Sequence, residues 1–315
     1  MFSKILIYKT HQYALKYNIT DLPDERKEHS KPKVRLGGIS IFFNYIFLII
    51  LLSFIFGLNF NSFISNSLLI TIVIVSICFF LIGLTDDIYS LNPIVRLSLQ
   101  IPLSIYCWSN GLAIKILDLS FLNLDLKNII IPDLISILIT VVWLIGITNA
   151  INWIDGLDGL ATGTVILAML SFLIICFSNF KIELIIITLS TLISAIVFLP
   201  YNIFPSKILM GDGGSYLFGF NTAAISIIST PSNNFVEGFS LNNMYLPGLI
   251  LFLPIADMTI VILSRMMSSN SPFYPDRRHF HYKLIDKGFS HSNTVIICCL
   301  ITFLFSLFSI ILFNL

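Results

Sequence analysis

Charge is what this chain has least of. Only 11% of its 315 residues are Asp, Glu, Lys or Arg, and 56% are hydrophobic. A soluble domain carries about 25% charge, so this balance excludes a soluble globular protein and points to one that crosses a membrane several times. The net charge is +1, which leaves no basic excess for a polyanion and excludes nucleic acid as a partner. Cysteine is sparse. Cys78, Cys107, Cys176, Cys298 and Cys299 all fall inside apolar runs, without metal-ligand spacing and without the pattern of a disulfide framework. The opening MFSKILIYKTHQ lacks the apolar core of a cleavable signal peptide. No internal repeat is visible.

What is abundant is apolar runs of membrane length. Candidate spans cover roughly 41–58, 67–84, 94–110, 134–151, 158–177, 182–199, 213–230, 245–264 and 293–313, each near the ~20 residues a helix needs to cross. The expectation is therefore an all-α polytopic membrane protein of about nine spans. Lys and Arg set its orientation. Fifteen fall on the side of the N-terminus and three, Lys115, Lys127 and Lys181, on the other. This bias makes the N-terminus cytoplasmic and the C-terminus external. Residues 1–36 then form a basic cytoplasmic segment and 266–292 a cytoplasmic loop of His and Arg, within one integral-membrane domain. The segment 111–132 is too polar to span and reads as an outer interfacial loop.

Every polar cluster lands on the cytoplasmic side in this topology, whereas the outer loops hold only scattered acids: Asp118, Asp125, Asp133, Glu183 and Glu237. The densest cluster is NAINWIDGLDGLATG, from Asn149 to Gly163. Ionised groups in a membrane-embedded segment are costly and mark function. If the stretch is helical, Asn152 and Asp155 share a face and Asp158 follows one turn on. Three oxygen ligands converging there would suit a hard cation such as Mg²⁺. The plainer alternative is a polar turn between two spans, which would need neither a second Asp nor paired Asn.

The other clusters are more modest. LTDDIYSLN sets Asp86 beside Asp87, about 100° apart on a helix; two like charges so close raise one pKa, as a general base requires. MGDGGSYLFGF puts Asp212 and Ser215 in a Gly-rich helix mouth, where free backbone N–H groups can receive an anion and the carboxylate can hold a cation. SPFYPDRRHFHYKLIDKGFSH gathers Arg277, Arg278, His279 and His281. Arginines suit phosphate, and no second pair completes a zinc site with the histidines. DLPDERKEHSKPKVRLGG mixes charges between Pro23 and Pro32 and reads equally well as an ordinary basic flank. Asp257, Val261 and Arg265 share a helix face, more in keeping with a bundle contact than with a site.

Five of these patterns, DLPDERKEHSKPKVRLGG, LTDDIYSL, NAINWIDGLDGLATG, MGDGGSYLFGF and DRRHFHYKL, occur in the order found in one family. From about Asp21 to His281 the chain resembles the polyprenyl-phosphate N-acetylhexosamine-1-phosphate transferases, which begin peptidoglycan, teichoic acid, O-antigen and related polymers in bacteria. The resemblance implies an active site at the cytoplasmic face of the bacterial inner membrane, with one or two more spans than are read here. It makes Asp212 and Asn152 the metal ligands, Asp86, Asp87 and Asp155 the catalytic carboxylates, and Asn149, Asp158, Arg277, Arg278, His279 and His281 the substrate-binding set, with Asp158 facing the nucleotide. Implied with it are Mg²⁺, with Mn²⁺ as substitute, a UDP-N-acetylhexosamine donor, undecaprenyl phosphate as acceptor, surrounding membrane lipid, and room for a homodimer. Two departures stand out. Tyr282 replaces a frequent His, and the twenty residues before Asp21 are too polar for the span the family usually carries there.

The expected reaction joins the lipid phosphate to the sugar-phosphate half of a UDP-sugar and releases UMP. The rivals are a secondary transporter, which would place its polar groups near the bilayer midplane, and a catalytically silent relative lacking its first span.

Overall fold

The computed structural model describes residues 2–16, 20–21, 33–57, 66–117, 129–178, 182–229, 239–274 and 276–313. Asp24, Glu25, Arg26, Lys27, His29, Asp118, Asp125, Lys127, Lys181, Glu237 and Pro275 lie outside the described residues. In chain order the helices are α1 (Phe2–Lys16), α2 (Gly37–Ile55), α3 (Ser67–Tyr89), α4 (Pro93–Ser109), α5 (Asp133–Ile154), α6 (Leu160–Ser178), α7 (Ile182–Asn202), α8 (Gly211–Ile228), α9 (Tyr245–Ile250), α10 (Phe252–Met267), α11 (Phe280–Asp286) and α12 (His291–Phe313). Short strands are β1 (Thr20–Asp21), β2 (Lys33–Val34), β3 (Ile114–Leu117), β4 (Ile129–Ile130) and β5 (Phe239–Ser240).

The all-α membrane architecture stands. Among the described residues six helices, α2, α3, α5, α6, α7 and α12, are long and apolar enough to cross a membrane. The other three expected spans differ for separate reasons. The segment 94–110 is the 17-residue α4, with Pro102 in its interior. The segment 245–264 is broken at Leu251 into α9 and α10. Pro254 has no N–H to offer the carbonyl one turn back, so the ladder stops there. The segment 213–230 is α8, which has the length of a span but is less apolar than the six, with Asp212, Ser215 and Asn221 in it, and all eighteen of its residues are buried.

Helix α8 is the axis of the bundle, with α2, α3, α5, α6 and α7 packed around it. Its small residues allow that crowding, as in other packed membrane helices. Gly83 of α3 shows how close the approach is: a Cβ there would stand 2.2 Å from the Asp212 carbonyl oxygen. Polar side chains tie the interior together. Tyr45 Oη and Ser76 Oγ both donate to Asn221 Oδ1, at 2.8 and 3.2 Å, and Trp143 Nε1 donates to Ser226 Oγ at 2.8 Å. Helix α1 lays Ile7, Thr10 and Ala14, all buried, along one face. The segment 111–132 contributes β3 and β4, which join β5 in a three-stranded sheet, β3 antiparallel to β4 and parallel to β5.

Candidate active site

One end of α8 gathers most of the singled-out acids. Gly211, at φ +73°, turns the chain into the helix, a conformation in which a side chain would be strained and would collide with the Arg35 carbonyl and the Asp87 carboxylate. The first helical N–H groups then face α3. Asp87 accepts from Asp212 N at 2.8 Å and from Gly213 N at 2.9 Å. The anion at this helix mouth is therefore Asp87 itself. The expectation that these N–H groups stay free for a substrate anion is corrected. An acid at the C-terminal end of α3 opposes that helix's dipole, but Asp87 also serves the favourable N-terminal end of α8.

Asp86 has its own partners and lies beside the Asp212 carboxylate. It accepts from Leu91 N at 2.7 Å and pairs with Arg96 of α4. Asn149 is also held away from the cleft: its Nδ2 donates to Gln100 Oε1 at 3.0 Å and to the Ile145 carbonyl at 2.8 Å.

Helix α5 ends at Ile154, so Asp155 and Asp158 do not share a helical face. They sit in a turn that runs to Gly159, and its geometry separates them. Asn152, in the last helical turn, donates to Asp212 Oδ1 at 2.8 Å and to Ser215 Oγ at 2.9 Å. Asp158 is drawn to the opposite wall, where it accepts from Lys33 Nζ at 2.6 Å and from Ser206 N at 2.9 Å. The expected convergence of Asn152, Asp155 and Asp158 on one point is thus corrected to Asn152, Asp155 and Asp212.

Asp155 and Asp212 line a cleft of about 260 Å³ together with Asn152, Asp158, Lys33, Arg35, Trp153, Asn202, Phe204, Tyr282 and His291. Among the described residues, the carboxylate of Asp155 takes no hydrogen bond. Burial, and then the neighbouring Asp212 charge, push its pKa well above the usual carboxylate range, with Arg35 opposing. Arg35 bridges two acids: Nε lies 3.0 Å from Asp87 Oδ1 and Nη2 2.9 Å from Asp212 Oδ1. Lys33 and Arg35 were missed as site residues. The signal that could have found them is the period of two in Lys33–Val34–Arg35: an extended segment sends Lys33 and Arg35 to one side and buries Val34 on the other.

The loop between α10 and α12 stands beside the cleft on a scaffold of its own. Asp257 of α10 binds His279 Nδ1 at 2.7 Å and accepts from Phe280 N at 2.6 Å. Arg265 grips Asp276 through Nε and Nη2 at 3.2 and 3.0 Å and lies over the Trp153 ring. Burial works against the ionised form of Asp276, but the bonds from Arg265 and from Arg278 N overcome it and hold its pKa below the usual value. Arg278 reaches Ser264 and Ser268, and Arg277 lies over the Tyr282 ring and pairs with Asp286. None of Arg277, Arg278 and His279 lines the cleft. His281 is buried, so its pKa falls to about 3 and it is neutral. Among the described residues its Nε2 has no hydrogen-bond partner, and it lies 2.4 Å from where a Cβ on Gly156 would stand. Tyr282, at the departure from the family pattern, reaches the cleft wall directly.

The donor set suits a hard cation in part. Among the described residues no three His, Cys, Asp or Glu side chains form a metal cage. Two neighbouring carboxylates, Asp155 and Asp212, and the amide of Asn152 remain. That matches how Mg²⁺ binds, through one or two carboxylates with water and phosphate completing the shell. The mutual repulsion of the two acids is what such a cation would relieve.

Residues 69–230 match the family model described as glycosyl transferase family 4. The chain is 31% identical, over 301 residues, to a probable undecaprenyl-phosphate N-acetylglucosaminyl 1-phosphate transferase of Bacillus subtilis (strain 168), covering 95% of this chain and 78% of that protein. It is 29% identical over 294 residues to a decaprenyl-phosphate N-acetylglucosaminephosphotransferase of Mycobacterium leprae (strain TN), covering 87% and 72%. It is 28% identical over 264 residues to a phospho-N-acetylmuramoyl-pentapeptide-transferase of Staphylococcus haemolyticus (strain JCSC1435), covering 80% and 77%.

Proposed function

As the chain belongs to glycosyl transferase family 4, we propose that it transfers N-acetylhexosamine 1-phosphate, or a deoxy derivative, from a UDP-sugar to undecaprenyl phosphate, releasing UMP and starting a cell-envelope polysaccharide. The observation that carries this reading is the cleft at one end of an apolar bundle, where Asp155 and Asp212 face Lys33 and Arg35. Such a site can receive a diphosphate from water and a lipid phosphate from the membrane. A transporter has less support, since the acids cluster at one end of the bundle. We place that end at the cytoplasmic face of the bacterial inner membrane, on the Lys and Arg bias. Labelling of a cysteine placed at Ser271 from outside intact cells alone would overturn that orientation.

The chemistry follows from the two anions that must meet. An oxygen of the lipid phosphate bonds to the phosphorus that carries the sugar. The bond from that phosphorus to the bridging oxygen breaks, and UMP leaves with the electron pair. Repulsion between the phosphates is the main obstacle. Arg35 and Lys33 lower it from one wall. Asp155, whose carboxylate takes no hydrogen bond among the described residues, is the group placed to take a proton from the lipid phosphate. Asp86 is occupied by Arg96 and Leu91, and Asp87 by α8 and Arg35. Asp87 acts by positioning Asp212. Asp212 and Asn152 would hold Mg²⁺, which when bound neutralises diphosphate charge. Asp158, fixed by Lys33 and Ser206, is the group to meet the uridine.

The test is transfer of label from a radiolabelled UDP-sugar into organic-extractable lipid by membranes containing the protein. Labelled lipid is the expected product, and UDP-sugar crossing the membrane unaltered would favour the transporter instead.

A further inference from the structure

Arg35 is held in a way that Lys33 is not. The main chain on either side of it is clamped. Leu209 N donates to the Val34 carbonyl at 2.8 Å, and Gly37 N and Gly38 N donate to the Leu209 and Met210 carbonyls at 3.0 and 2.8 Å. Inside the protein its Nε meets Asp87, whose side chain is 1% exposed and is locked by two backbone N–H groups. The Arg35 side chain itself is 35% exposed and lines the cleft, and its Nη2 meets Asp212. One end of the guanidinium is therefore anchored and the other lies on the carboxylate best placed to hold a divalent cation. Arg96, the other cation near Asp212, is 3.8 Å away, is paired with Asp86 and does not line the cleft.

We propose that Arg35 is the cleft's exchangeable cation: it neutralises Asp212 in the metal-free protein and, when a divalent cation takes that carboxylate, turns its Nη2 end to the diphosphate of the nucleotide sugar. The proposal rests on the function given above. Its physical basis is that a guanidinium is always charged, so it and a dication drawn to the same carboxylate repel each other. The same planar fork is well shaped for two phosphate oxygens. Its Nε end stays on Asp87, so the movement is a short swing about a fixed point. Arg35 then competes with the metal when no nucleotide is present and supports the nucleotide once the metal is bound.

That double role gives a signature of opposite signs. In the purified full chain, Mn²⁺ affinity without nucleotide is read by electron paramagnetic resonance, and UDP affinity in saturating Mg²⁺ by equilibrium dialysis. Arg35→Gln is expected to bind Mn²⁺ about tenfold more tightly and UDP about tenfold more weakly than the parent. Arg35→Lys, which keeps the charge but loses the fork, is expected to move both in the same directions by less. A damaged cleft would weaken both ligands, and a purely structural ion pair would move neither; either result in Arg35→Gln overturns the proposal. If the parent protein binds neither Mn²⁺ nor UDP, the functional reading itself falls, and this inference with it.

Discussion

Gly83→Ala adds one methyl group to a residue that carries no chemistry, and it is expected to stop the enzyme. The new Cβ would stand 2.2 Å from the Asp212 carbonyl oxygen, 2.4 Å from its carbonyl carbon and 2.6 Å from Gly213 N. All three are backbone atoms, so no side chain can rotate away. Ordinary contact requires helices α3 and α8 to separate by about 1 Å. Alanine in a helix interior is normally better than glycine by up to ~1 kcal/mol. Overpacking costs about 1–3 kcal/mol, so the net change is destabilising. The functional loss is larger. Asp87 lies one turn beyond Gly83 and holds Asp212 N and Gly213 N at 2.8 and 2.9 Å. A displacement of about 1 Å at a reacting group can cost on the order of 100-fold in rate. The assay is label transfer into lipid at matched protein level, with the thermal midpoint in detergent as a second readout. Gly248→Ala is the control, because nothing lies within 4 Å of its added Cβ; it is expected to be neutral or slightly stabilising. Transfer by Gly83→Ala within about threefold of the parent, at an unchanged midpoint, would refute the reasoning.

Three further outcomes are expected. Asp155→Asn and Asp212→Asn should each abolish lipid labelling while membrane insertion, read by fractionation, is retained; near-normal activity in either removes that carboxylate from the mechanism. Exhaustive chelation should abolish transfer and added Mg²⁺ or Mn²⁺ restore it, whereas full activity in chelator would discard the metal. His281 is neutral when folded, with a pKa near 3 against about 6.5 unfolded. The unfolded chain therefore binds the extra proton first, and stability present above about pH 6.5 is lost as pH falls toward 3, by about 1.4 kcal/mol per unit at most. The thermal midpoint of His281→Gln should fall less between pH 7 and 5 than that of the parent; parallel slopes would mean His281 is not the buried neutral group.

The helical segments were legible because a membrane span writes itself locally. Hydropathy over about 20 residues reports burial in lipid without any knowledge of neighbours. The break at Leu251 was missed because the run from 245 to 264 stays apolar across it, although Pro254 marked the place. The acids of the site were legible too, since an ionised group in such a run stands out against its cost. Their partners were not. Asn149 and Asp158 look alike as polar residues of one motif, yet the fold ties one to Gln100 in the bundle and the other to Lys33 at the cleft.

Sequence alone thus determined the class of the protein, an apolar helical bundle with its polar clusters on one side, because hydropathy and charge bias are sums over neighbouring residues. Tertiary structure decided which acid meets which cation. Asp87 and Asp212 are 125 positions apart, as are Lys33 and Asp158, and the first pair meets where Gly83 lets α3 close on α8. An ion pair's identity depends on distances of a few ångströms across the bundle, and no local pattern in the chain encodes those distances.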